Sequence, residues 1–295
     1  MITLPKEWKI YTNSIRDRCR DLIEYKVWGG IDLIKFDAWR RNFQTDEEKY
    51  FSACILDSLV YRSNSQTYSL INQMLYKNLN NMFRILGEPD LQNFPACLID
   101  RRADPLVRLV PAITPSSPVT KSSNEILRFM KRHFRVWENW IVNPWNIEDE
   151  IKKGVRAFIF IDDFLGTGHQ FEDAIIYSNL ADVIKNNLIV YAPLTAHAEG
   201  ISFLNGTYPQ LKITYSEKLE KISHSFFSNY FEHEQSEAKA FYLDMLAKRG
   251  ITLGIGNQYG YGDMELTFAF EHAAPDNSLQ VLHERHDNWV PLFNR

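Results

Sequence analysis

From residue 6 to residue 86 the apolar positions recur at helical spacing. In TDEEKYFSACILDSLVY, Thr45 and Glu48 take the places of a capping box, and Phe51, Cys54, Ile55 and Leu59 then share one face. This stretch predicts an all-α region. Prolines at 89, 95, 105, 111, 115 and 118 change the punctuation, and the short apolar runs ACLID and VRLVPAI among them predict strands. TPSSPVTKSSNEILRFMKR predicts a mobile loop that feeds a helix carrying Ile126, Leu127 and Met130. Val155, Ala157, Phe158, Ile159, Phe160 and Ile161, interrupted only by Arg156, suit a strand buried on both faces of a parallel sheet. After it come a helix (Phe171, Ala174, Ile175, Ser178), the strand NLIVYAPLTA, a helix near 198–204 and the strand LKITYS. Such alternation predicts parallel strands joined by right-handed crossovers. The helix QSEAKAFYLDMLAKRG ends at Gly250, a left-handed cap, and MELTFAFEH alternates as a final strand. The fold class is therefore α/β, a parallel sheet flanked by helices. An N-terminal helical region covers 1–90, and a second domain covers 91–295, including a C-terminal extension.

Composition narrows the classes. A chain of 295 residues, 45% hydrophobic and 14% aromatic, buries a large core and folds as a globular protein. Its formal charge of −4, with no basic tract, argues against general nucleic-acid binding by the whole surface, though not against a local patch. Cys19, Cys54 and Cys97 are unclustered, so neither a disulfide framework nor a structural zinc site is expected. The N-terminus lacks the apolar core of a signal peptide, and no run approaches a membrane span. The expectation is a cytoplasmic protein without a membrane segment.

The chemistry gathers at FIFIDDFLGTGHQFEDAI, where the apolar strand meets two aspartates and a glycine-rich corner. In open α/β sheets the carboxyl end of a strand faces the crevice where ligands bind. If the chain turns there, Asp162 and Asp163 both line that crevice and offer four acceptor oxygens to vicinal hydroxyls, such as those of a ribose. Gly166, Thr167 and Gly168 allow close backbone approach, and their amides at a helix start form an anion nest. His169 and Gln170 continue it. The pattern predicts a ribose-phosphate site.

FIFIDDFLGTGHQ resembles the phosphoribosyl-pyrophosphate (PRPP) motif of type I phosphoribosyltransferases. With FEHAAPDNSLQVLHERHDNWVPLFNR, it resembles more narrowly the phosphoribosyltransferase-like proteins of bacterial conflict and antiphage systems, some of them associated with retrons. The resemblance implies a phosphoribosyltransferase-like domain and a PRPP-type substrate. Asp162 and Asp163 match its ribose-contacting catalytic pair, and Gly166 to Gln170 match its 5′-phosphate loop. Lys121, Ser122 and Ser123 sit where a loop would close over pyrophosphate, although clearer basic or Ser-Tyr signatures are absent from that loop. It further implies Mg2+ carried by substrate phosphates without direct protein ligation, and a protein partner from a defence system, a reverse transcriptase–RNA complex among the candidates. An oligomer is compatible with it. Two functions stay open: an effector enzyme, or a non-catalytic sensor or assembly module that keeps the pocket and binds a protein or ribonucleoprotein.

Plainer readings stand beside these. An acid pair followed by glycine also suits a solvated turn, and Ser122 with Glu125 makes an ordinary capping box. His169 at a helix start is as readily solvated as bound to phosphate. His283 and His286 lack a third ligand, which favours surface or packing roles. GITLGIGNQYGYGD does not complete GxGxxG, and no GxxxxGK[ST] occurs, so dinucleotide and P-loop readings fall away. Trp137, Trp140, Trp145 and Trp289 fit either core or partner surface.

Overall fold

The computed structural model describes residues 2–101, 105–118 and 121–294. Their strands are β1 (Val60–Arg62), β2 (Val107–Pro111), β3 (Ala157–Leu165), β4 (Leu188–His197), β5 (Lys212–Ile213), β6 (Glu217–Leu219) and β7 (Phe268–Phe270). By contacts the chain divides into two units, 68–219 and the combination of 1–67 with 220–295. That partition differs from a boundary at residue 90, because 1–67 finds its partners far along the chain.

The unit 68–219 holds a parallel sheet of order β2-β3-β4-β5, with β6 pairing β4 beyond the end of β5. All nine residues of β3 are buried, which a strand achieves only when both faces of its sheet are covered. On one side Phe158, Phe160, Ile189 and Tyr191 pack with Phe171, Ala174 and Ile175 of the helix His169–Tyr177, and with Leu204 of the helix Ala198–Thr207. The ladder between β2 and β3 ends at Pro111 and Ile161, whereas that between β3 and β4 continues to Leu165 and Ala196. The two aspartates therefore sit inside β3, past the end of one neighbouring strand and still beside the other.

In the other unit β1 and β7 pair in parallel, Val60 opposite Phe268 and Arg62 opposite Phe270. Phe51 of the helix Asp46–Ser58 anchors a cluster of rings with Phe226, Phe227, Phe231, Phe241 and Tyr242. The capping box is formed: Thr45 Oγ1 accepts from the Glu48 amide at 3.2 Å, while Glu48 Oε2 accepts from the Thr45 amide at 3.3 Å. Gly250, at φ +79°, ends the helix Gln235–Ala247, with the Ile251 amide donating to Leu246 O at 3.1 Å.

Three local expectations are corrected. The all-α stretch contains β1, which its parallel partner β7 stabilises and which local spacing does not betray. ACLID is no strand; Phe94–Cys97 is helical and turns follow. Ser122 does not cap its helix, because Lys121 occupies the cap position and makes no side-chain capping bond. Among the described residues no helix is long and apolar enough to cross a membrane.

Candidate functional site

β3 delivers the acid pair, and the two carboxylates meet different surroundings. Asp162 is fully buried, and both its oxygens have protein donors. Oδ1 lies 2.8 Å from Ser123 Oγ and accepts from the Asp163 amide at 3.1 Å, while Oδ2 accepts from the Tyr191 hydroxyl at 2.9 Å. Asp163 keeps 7% of its surface exposed. An equivalent, solvent-facing pair is thus not what the fold builds, because Tyr191 of β4 and Ser123 of the helix Ser122–His133 enclose the Asp162 carboxyl. Burial, and then the nearby charge of Asp163, push the Asp162 carboxyl up to about 8, against the opposing pull of Ser123, Tyr191 and Lys121. Burial, followed by the Asp162 charge, holds the Tyr191 phenol well above its ordinary value, so it remains a donor. Its ring stacks on Phe171 at 3.8 Å between centroids.

The glycine corner follows directly. Gly168 has φ +95° and is the N-cap of the helix His169–Tyr177. A Cβ there would lie 2.8 Å from Phe203 Cδ1, so both backbone conformation and space call for glycine. Among the described residues the amides of Thr167, Gly168 and Gln170 donate to no protein acceptor. They are available to an anion at a helix N-terminus. His169 is exposed and sets its ring edge-on to Phe203 at 4.9 Å.

Lys121 joins this corner from a distant part of the chain, donating from Nζ to Gln170 Oε1 at 2.9 Å. Ser123 is fully buried, within 3.2 Å of Ala112 O as well as in contact with Asp162. Ser122 is half-buried at the start of the same helix. Within the loop expected to be a lid, Val119 and Thr120 lie outside the described residues. The remaining candidates take separate places. His283 is buried, His286 packs near Gly250, Trp140 and Trp289 are in the core, and Trp137 and Trp145 are exposed.

Two residues escape sequence reading. Tyr191 sits in an apolar strand and looks like core; the signal was that a buried phenol needs a polar partner. Gly200, on the helix Ala198–Thr207, would place a Cβ 2.1 Å from Gly166 O. It lets the helix backbone touch the glycine corner, and a glycine early in a helical pattern was its only sign.

A sequence model of the PRTase-CE family matches residues 36–295. The chain belongs to the PRTase-CE family. This is a phosphoribosyltransferase-like family, and its match extends across both structural units of the chain. The comparison with curated proteins found no match. In this PRTase-CE chain the strand, acid pair, glycine corner and helix follow one another within residues 157–177.

Proposed function

We propose that this protein binds PRPP or a related ribose phosphate at the β3 corner and acts as a phosphoribosyltransferase-like effector in a bacterial antiphage system. The observation that carries the binding reading is the set of Thr167, Gly168 and Gln170 amides, without protein acceptors among the described residues, at the N-terminus of the helix His169–Tyr177. A 5′-phosphate takes those amides, Asp163 accepts from a ribose hydroxyl, and Lys121 faces the diphosphate. Reaction would break the bond from the anomeric carbon to diphosphate, which leaves with the electron pair, and form one from that carbon to an acceptor nucleophile, with oxocarbenium character stabilised by position and charge. Both Asp162 oxygens have protein donors, and among the described residues no group of three or more His, Cys, Asp or Glu could hold a metal ion. Magnesium would come on the diphosphate oxygens of the substrate, a mode that suits this ion.

Titration calorimetry with ribose 5-phosphate and PRPP tests the site, and a diphosphate-release assay tests turnover. Lys121→Ala is expected to weaken PRPP by about tenfold, the loss of one charge-assisted contact, while leaving ribose 5-phosphate nearly unchanged. Equal losses would remove Lys121 from the diphosphate. Saturable binding with no release of diphosphate would favour the sensor, acting through a protein or ribonucleoprotein partner. Phage challenge of cells carrying Asp163→Asn tests the defence role; full protection would reject a site-dependent effector.

A further inference from the structure

We propose that Asp162 is a neutral, positioning carboxylic acid that ties the helix Ser122–His133 to β4, leaving Asp163 as the one member of the pair that meets the ligand. The inference rests on the ribose-phosphate reading above and divides the labour of its acid pair. Proton counting carries it. Ser123 Oγ lies 2.8 Å from Asp162 Oδ1 and 3.2 Å from Ala112 O, yet a serine hydroxyl has one proton to donate. With Asp162 ionised, both neighbours are acceptors and one of the two contacts lacks a proton. Neutral Asp162 resolves the conflict: its own O–H donates to Ser123 Oγ, and Ser123 donates to Ala112 O. The Tyr191 hydroxyl still donates to Oδ2, and the Asp163 amide still points at Oδ1.

The surroundings agree with a neutral acid. Asp162 is fully buried, where an isolated charge is costly. The titratable groups facing it are Asp163 on its own strand, Tyr191 on β4 and Lys121 before the helix Ser122–His133. Of these the Tyr191 hydroxyl and Lys121 favour a carboxylate, burial and the Asp163 charge outweigh them, and the Lys121 ammonium is engaged by Gln170. The consequence is mechanical. Three segments converge on one carboxyl group: β4 through Tyr191, the chain just after β2 through Ala112 and Ser123, and the start of the helix that follows Lys121. Asp162 thereby sets where Lys121 stands relative to the phosphate corner without touching the ligand.

The test compares Asp162→Asn with Asp163→Asn, using ribose 5-phosphate as the calorimetric probe and infrared spectroscopy as the readout of protonation. Asparagine at 162 reproduces the neutral acid at two of the three contacts, its NH2 donating to Ser123 Oγ and its oxygen accepting from the Tyr191 hydroxyl, and gives up the bond from the Asp163 amide. Its affinity for the probe is expected within about threefold of wild type, whereas Asp163→Asn, losing a charge-assisted bond, should bind more than about tenfold more weakly. Wild-type protein at neutral pH should show a protonated-carboxyl stretch that Asp162→Asn lacks. Ser123→Ala and Tyr191→Phe, which each remove one contact, serve if Asp162→Asn does not fold, and both should retain the stretch. Absence of the stretch in wild type, or equal loss of affinity in the two folded Asn variants, overturns the proposal. If wild type does not bind the probe, the ribose-phosphate reading fails and takes the role of Asp163 with it. The infrared stretch still decides the state of Asp162.

Discussion

The glycines around the β3 corner separate conformational need from spatial need. Gly168→Ala meets both a positive φ and a close contact, and Gly200→Ala meets Gly166 O at 2.1 Å. Each is expected to cost about 1–3 kcal/mol and to displace the amides that would hold phosphate. Gly206, on the same helix as Gly200, has nothing within 4 Å of the place a Cβ would take. There alanine should stabilise by about 0.5–1 kcal/mol, since it lowers the entropy of the unfolded chain. Thermal denaturation of the three variants checks the ordering; equal behaviour would mean the contacts do not matter. Asp162 makes a second prediction, through pH. Its carboxyl rises from 3.8 to about 8 on folding, so between those values the folded protein keeps a proton that the unfolded chain has released. Stability from this group is fully present below about pH 4 and is lost as pH rises toward 8. The melting temperature of wild type, measured against Asp162→Asn, should fall over that window and level off above it. A rise would mean that Asp162 is ionised in the fold.

Among the elements, the helix Asp46–Ser58 shows how a local signal becomes tied to distant chain. Its capping box follows from spacing alone, and Thr45→Ala should cost about 1 kcal/mol through the lost cap. Glu48 also acts across the fold, where its carboxylate pairs with Arg249 at 2.6 Å, both side chains nearly buried. Glu48→Ala is expected to cost about 3 kcal/mol or more, because it also leaves a buried guanidinium without its partner. Arg249 keeps bonds to Asn42 O and Met245 O, which sets a limit to that loss. Urea denaturation of the two single variants measures the difference, and similar costs would reduce Glu48 to a cap. The helix Ser122–His133 reverses the pattern. Its apolar stripe, Ile126, Leu127 and Met130, is buried as the spacing predicts. Its start, however, is held by the contact between Ser123 and Asp162, not by the S-x-x-E box, since tertiary contact outweighs a cap worth about 1 kcal/mol.

For the whole molecule, the unit built from 1–67 and 220–295 makes the C-terminal part a structural requirement for the N-terminal one. Phe51 meets its ring partners in 226–242, β1 pairs β7, and Trp39 Nε1 donates to Val281 O at 2.7 Å. A chain ended at residue 219 should therefore leave 1–67 open to proteolysis, because its apolar faces lose their cover. Limited proteolysis followed by mass spectrometry checks this. Protection of 1–67 in the shortened chain would show that its helices suffice alone.

Local order was legible where one short stretch contains its own reasons. The buried β3, the glycine corner, the helix after it and the β-α alternation all follow from hydrophobic runs and turn chemistry between near neighbours. The expectation of a ribose phosphate at that corner came from the same chemistry as the proposal, since phosphate needs backbone amides and ribose needs acceptors. What the linear pattern could not express are pairings at long sequence separation. β1 is three residues long and gains its ladder from β7. Adjacent letters made Asp162 and Asp163 look alike, and folding parted them: Tyr191 and Ser123, brought from other elements, enclose one carboxyl group, while the other keeps an exposed edge. Burial and the supply of protons at a buried group depend on what the fold assembles around it, and spacing along a chain carries no record of that.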